Sequence, residues 1–211
     1  MFKDAFEEFL SLVEKSTGRS RTDLGFHPPA SEAQIAAMEA ALREDSDADE
    51  WDAKVGAHGL DDLKTMLRLA NGHTTKFAFL NGPLLDTESV VREYGELLEY
   101  ASDDDDGYED DDKLRAVTMH PYWIPFASYP AEVSFLVDFD PGPAGKHGQV
   151  LVNYNFEEKF VVCDSLTDLF TRVNEKLKEG SVRFGPVQGY EQEYDLLDAN
   201  GKRAKVVQLL S

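Results

Sequence analysis

The reading of the fold turns on one stretch, VSFLVDFDPGPAGKHGQVLVNYNFEEKFVVCDSLTDLFTRVNEKLKEG, residues 133–180. Its first part holds three short runs rich in β-branched and aromatic residues: Val133 to Phe139, Gly148 to Tyr154 and Lys159 to Cys163. Runs of that length and composition predict strands. Asp140-Pro141-Gly142 reads as a turn between the first two. Then the period changes. Ser165 and Asp168 have capping-box spacing, and Leu166, Leu169, Phe170, Val173 and Leu177 fall on one face of a helix. A Lys-rich last turn and Gly180 end it.

Upstream, Leu114 to Met119 predicts a further strand, and before it the pattern is helical. Phe2, Phe6, Phe9, Leu10 and Val13 predict an amphipathic helix over 2–17, with Gly18 as its C-cap. A basic link, Arg19 to Asp23, follows. Ser31 and Gln34 are spaced as a capping box for a helix carrying Ile35, Met38 and Leu42. Residues 43–58 are polar and read as a loop or fraying extension. A third helix runs from about Leu60 to Ala70, with Asn71-Gly72 as its stop, since both residues tolerate the left-handed conformation. Lys76 to Leu80 reads as a strand, Asn81-Gly82 as a turn, and Asp86 or Thr87 as the cap of a fourth helix burying Val90, Val91, Tyr94, Leu97, Leu98 and Ala101. Downstream, Tyr194 to Leu197, Asn200-Gly201 and Val206 to Leu210 suggest an added hairpin. Helices first, then strands, then a helix predict the α+β class: N-terminal helices packed on a mainly antiparallel sheet, with a C-terminal hairpin extension, in one domain over 1–211.

The chain has 211 residues, with 21 Lys+Arg against 41 Asp+Glu, a formal net charge of −20. That balance opposes binding to nucleic acid or to anionic membranes and suits a basic protein partner; a solubility surface is the plainer alternative. Glu99 to Asp112 holds nine acids and no base, and reads as an exposed, mobile loop. Without it the chain still carries 32 acids against 21 bases, so the acidity belongs to the folded body as well. No hydrophobic run exceeds four residues, and the acids within MFKDAFEEFL leave no continuous apolar region of a secretory signal. The single Cys163 cannot close an internal disulfide, and with these features predicts a cytoplasmic setting.

Four of these pieces, in this order, resemble the SUKH superfamily, which groups a fungal cell-wall synthesis regulator with many bacterial immunity proteins. They are Pro29-Ala30-Ser31-Glu32 opening a helix; Leu60-Asp61-Asp62-Leu63 leading through Leu67 to Asn71-Gly72; Trp123-Ile124-Pro125-Phe126 with Val137-Asp138-Phe139-Asp140-Pro141 and Gly148-Gln149-Val150; and Val161 to Phe170 as the closing strand and helix. Asp61 stands where the family usually has Pro. The resemblance covers about residues 26–178, leaving an acidic insertion at about 99–113 and an extension at about 181–211. It implies a binding protein without catalysis or cofactor. In bacteria such proteins typically neutralise a cognate toxin by covering it; the alternative is a regulator or scaffold like the fungal relative.

Candidate partner-binding residues are Trp51, as an apolar anchor, and Asp103, Asp104, Asp105, Asp106, Asp138 and Asp140 as an acidic rim. Trp51 reads equally as a side chain folded back on the second helix. Asp138 and Asp140 alternate with Phe139, so if Val137 and Phe139 face the core the two carboxylates face solvent. Trp123 and Pro125 line a groove or simply start a strand. Gly148-Gln149 reads as a strand start. The five His residues show no metal-ligand spacing, and Cys163, among apolar neighbours, reads as a small hydrophobe rather than a nucleophile. No phosphate loop or Gly-x-Ser-x-Gly elbow occurs.

Overall fold

The computed structural model describes residues 1–44, 47–75, 77–79, 82–101, 107–129, 132–187 and 190–204. Six helices are found among them: α1 (Phe2–Thr17), α2 (Glu32–Glu44), α3 (Ala48–Lys54), α4 (Asp61–Leu69), α5 (Thr87–Leu98) and α6 (Leu166–Glu179). The strands are β1 (Tyr108–Glu109), β2 (Leu114–Arg115), β3 (Trp123–Tyr129), β4 (Val133–Asp138), β5 (Gln149–Tyr154), β6 (Glu158–Cys163), β7 (Val182–Val187) and β8 (Tyr190–Asp198). β3 to β6 form an antiparallel meander in chain order, and β1–β2 and β7–β8 are separate antiparallel hairpins. The architecture is α+β.

Local signals place most helix ends. The Ser31 hydroxyl accepts the Gln34 N–H at 3.3 Å while the Gln34 amide oxygen accepts the Ser31 N–H at 2.9 Å. Asp86 caps α5 through the Ser89 N–H at 2.7 Å, and Ser165 caps α6 through the Asp168 N–H at 3.1 Å. Gly18 and Gly180 end α1 and α6 in the left-handed region. α3 occupies the stretch whose composition reads as a loop. Asp47 accepts the N–H groups of Asp49 and Glu50, both at 3.0 Å, and Trp51 is the helix's buried residue. Seven residues with one large apolar side chain show no period, so only packing reveals this helix.

The main core lies between the helices and one face of the meander. Its centre is aromatic. Phe6 of α1 meets Phe170 of α6 edge-on at 4.9 Å, Phe9 lies 4.8 Å from Phe79, and Phe77 lies 4.8 Å from Phe184 of β7. Such pairs add stability beyond the area they bury. Asn174 of α6 donates to the Ala5 carbonyl at 2.8 Å, fixing α6 against α1. The expected C-terminal hairpin is present with a different partner: β8 pairs back onto β7, a strand the sequence reading missed. Residues 206–210, its expected second strand, lie outside the described residues. Of the strand expected over 76–80, Phe77 and Phe79 make only isolated bridges, Phe77 with Tyr194 and Phe79 with Gly82.

An antiparallel sheet usually leaves one face to water. This one does not. Leu114, Val117, Met119, Trp123, Leu136 and Leu151 form a second apolar cluster on its other face, together with Leu97 of α5. The covering segment is the chain from β1 to Met119, so part of the acidic stretch expected to be a mobile loop is structured. Asp110 accepts the Val161 N–H of edge strand β6 at 2.8 Å, and the carbonyls of Asp112 and Lys113 accept the N–H groups of Ala144 and Gly142. A carboxylate placed on an outer strand also blunts it against pairing with other chains.

Candidate protein-binding groove

The groove is built by one short connection. α3 ends at Lys54 and α4 starts at Asp61. Gly56 adopts φ +67°, which strains any other residue, and a Cβ at Gly59 would stand 2.2 Å from the Val55 carbonyl oxygen, so this tight turn has no room for a side chain at Gly59. Between this connection, the end of β4 and the start of α6 runs a groove of about 510 Å³. Val55, Leu60, Leu63, Val137, Phe139 and Leu166 supply apolar walls, with His58, Asp62, His147 and Ser165 among them. Asp62 is half-buried and takes one long hydrogen bond, from the Thr167 hydroxyl at 3.4 Å; burial pushes its carboxyl above the ordinary value.

One wall of the groove is held by Lys54. Its carbonyl lies 2.6 Å from His147 Nε2, and its Nζ donates to Asp140 Oδ1 at 2.5 Å. Both bonds tie the loop between β4 and β5 to the end of α3. Asp140 gathers further groups: Arg115 Nε lies 2.9 Å from its Oδ2, and His120 Nε2 lies 3.5 Å away. Burial alone would raise the Asp140 carboxyl, but the hydrogen bonds from Lys54 and Arg115 outweigh it and hold the group below its ordinary value. His120 behaves oppositely. Burial outweighs the nearby carboxylate and lowers its pKa to about 4, so it is neutral at pH 7. Tyr122 donates to Glu50 of α3 at 2.9 Å, a second tie between that helix and the sheet.

Asp138 lies in the same buried region, in register with Trp123 on one side and Gln149 on the other. Oδ1 accepts the Asp140 N–H at 2.9 Å and Oδ2 accepts Gln149 Nε2 at 2.8 Å. Gln149 Nε2 also donates to the Lys113 carbonyl, while Gln149 Oε1 accepts the Lys146 N–H. The buried indole N–H of Trp123 lacks a hydrogen bond of good geometry, though it still favours the Asp138 anion. Burial dominates and raises the Asp138 pKa to about 6. A folded-state value above the ordinary 3.8 means stability that is full below about pH 4 and lost as pH rises through 6. We expect carbon-detected NMR to give Asp138 a titration midpoint near 6; a midpoint at or below 4 would show that water reaches it.

The expected outward face of Asp138 and Asp140 is therefore corrected. They are 0% and 9% exposed. Val137 and Phe139 do face the main core, but the opposite face of the sheet is covered by residues 107–119 rather than by water. Trp51, 3% exposed, packs into the main core, which is the folded-back alternative; it has no surface with which to anchor a partner. Asp103 to Asp106 lie outside the described residues. Trp123 is buried in β3, and Pro125 sits in that edge strand beside a bulge, where a missing N–H is tolerated. Gly148 precedes β5 with φ +80°. Asn71-Gly72 is not the helix cap expected. α4 ends at Leu69 with Ala70 extended, and the pair forms a junction: Asn71 Oδ1 accepts the Thr87 N–H of α5 at 3.0 Å, and the Gly72 carbonyl accepts the His27 N–H at 3.0 Å. Sequence reasoning missed Lys54, Arg115, His120 and His147. Lys54 and Asp140 are 86 positions apart, and no local spacing links them.

Among the described residues no helix is long and apolar enough to cross a membrane, and no group of three His, Cys, Asp or Glu is placed to hold a metal ion. Burial pushes the Cys163 thiol up to about 12, out of reach of thiolate chemistry at neutral pH. Two curated relatives resemble part of the chain. The "KNR4/SMI1 homolog" of Eremothecium gossypii is 36% identical over 69 residues, 32% of this chain and 10% of that protein. The "KNR4/SMI1 homolog" of Yarrowia lipolytica is 35% identical over 69 residues, with the same coverage. The chain thus spans about a tenth of the length of these relatives. The profile of the SMI1 / KNR4 family (SUKH-1) matches residues 49–172, more than half of the chain, and takes in α3, the groove connection, the meander and the start of α6. On that match, the chain belongs to the SMI1 / KNR4 family (SUKH-1).

Proposed function

We propose that this chain is a non-catalytic protein-binding domain of the immunity type, which neutralises a basic toxin or effector by covering it. The observation that supports this reading best is the use made of the buried titratable groups. Asp138 and Asp140, the carboxylate pair of the third family-like segment, are tied by Gln149, Lys54 and Arg115 into a scaffold and do not face a cavity together. The excess acid is left to the surface, where it raises the encounter rate with a basic partner. The apolar groove inside the family-matched segment offers the concave contact that a standard interface of about 800 Å² per partner needs at its centre.

The test is co-purification with the product of the neighbouring gene, followed by association kinetics across a salt series. Association should slow about ten-fold or more between low and physiological salt, while dissociation changes far less. An association rate flat across the series would overturn the basic-partner reading. The local likeness to fungal proteins named KNR4/SMI1 homolog supports a second reading, a cell-wall regulator or scaffold with several partners. Capture of one stoichiometric partner favours the first reading; capture of several distinct partners favours the second.

A further inference from the structure

A second concavity lies away from the groove, between α5, the strands β4 and β5, and the turn after β5. It measures about 210 Å³. Glu93, Glu96 and Glu99 of the α5 side and Glu132 before β4 line it; among the described residues, none of those lining it is basic. Arg92, on the same helix, donates to Ser89 instead. Glu93 is 5% exposed. Its Oε2 accepts the Ser128 hydroxyl at 3.0 Å, and its Oε1 has no hydrogen-bond partner among the described residues. A buried carboxylate with one neutral donor and only the longer-range attraction of Arg92 is costly. Burial first, then Glu96, push its carboxyl above the ordinary value. Tyr100 and Phe156 stand at the same cavity with ring centroids 4.4 Å apart, and Tyr100 is 52% exposed.

We propose that this cavity is the seat of an arginine side chain presented by the basic protein partner. The proposal rests on the preceding reading that the chain binds such a partner, and it deepens it by naming a contact. A guanidinium stacks flat on an aromatic ring and donates through its fork to carboxylates on either side. Glu93 Oε1 supplies an unpartnered acceptor in the wall, Glu132 and Glu96 supply the rim, and Tyr100 supplies a face. An ammonium would use the charge but not the stacking surface.

The probes are fluorescein-labelled hexa-arginine, hexa-lysine and hexa-citrulline peptides, titrated against the full chain at about 0.15 M salt, where non-specific attraction is screened. Hexa-arginine should bind tightest and hexa-citrulline not at all. Glu93→Gln with Glu132→Gln keeps the Ser128 hydrogen bond and should weaken hexa-arginine about ten-fold, the scale of one lost charge-assisted contact. Tyr100→Ala, at an exposed position, provides a second variant that leaves folding intact and should weaken hexa-arginine while leaving hexa-lysine unchanged. Glu175→Gln with Glu179→Gln on α6 removes equal charge elsewhere and should change binding less than about two-fold. Equal weakening by the cavity and the α6 pairs would overturn the seat, and equal affinity for hexa-lysine would overturn its assignment to arginine. Neither result would touch the immunity reading, which is tested by capture and kinetics on the partner itself.

Discussion

Gly72→Ala should lower the unfolding free energy by about 3 kcal/mol, well beyond the usual cost of a left-handed alanine. Gly72 adopts φ +72°, and a Cβ there would stand 2.5 Å from the Asp86 nitrogen and 2.7 Å from the Leu84 oxygen. Those atoms are backbone and cannot rotate away. Asp86 is also the cap of α5, and the adjacent Asn71 holds the next N–H of that helix, so the only relief is to part α4 from α5. Gly18 is the internal control. It has φ +63° but nothing within 4 Å of an added Cβ, so Gly18→Ala should cost only about 1 kcal/mol. Urea unfolding of both variants checks the difference. A Gly72→Ala loss no larger than that of Gly18→Ala would show that the junction yields.

Asp140→Ala should cost about 3 kcal/mol, because it removes the carboxylate that Lys54 and Arg115 share at a half-buried place. Lys54→Ala should cost less, about 1 kcal/mol, since the Lys54 side chain is 36% exposed and leaves Arg115 in place. The Asp140 carboxyl is lowered in the fold, so its contribution is present above the ordinary value of 3.8 and drains as pH falls through the lowered one. The gap between wild type and Asp140→Ala should therefore persist at pH 7 and pH 5 and close only below pH 3.8. Asp140 also repels the Asp138 anion, so the Asp138 midpoint should fall from about 6 in the variant. A gap that closes already near pH 6 would show that Asp138 and not Asp140 carries the effect.

Capping boxes, helix-stop glycines and apolar periods are properties of three to five neighbouring residues, and they are legible without a structure. Ser31 with Gln34, Ser165, Gly18 and Gly180 act at the helix ends their spacing predicts, and the runs at 133, 148 and 159 are three of the four strands of the meander. α3 escaped because it is short and carries one large apolar residue, and β7 because Gly185-Pro186 interrupts the alternation that Val182 and Phe184 begin. The rim failed for a different reason. Alternation along Val137 to Asp140 correctly separates two faces of a strand, yet it does not say what lies over each face. That depended on residues 107–119 crossing the sheet, and on Lys54, Arg115 and His120 arriving at Asp140 from three other parts of the chain. Burial of a charge is a property of everything packed around it. The sequence could name the carboxylates, and only the packed molecule could show that they hold it together from inside.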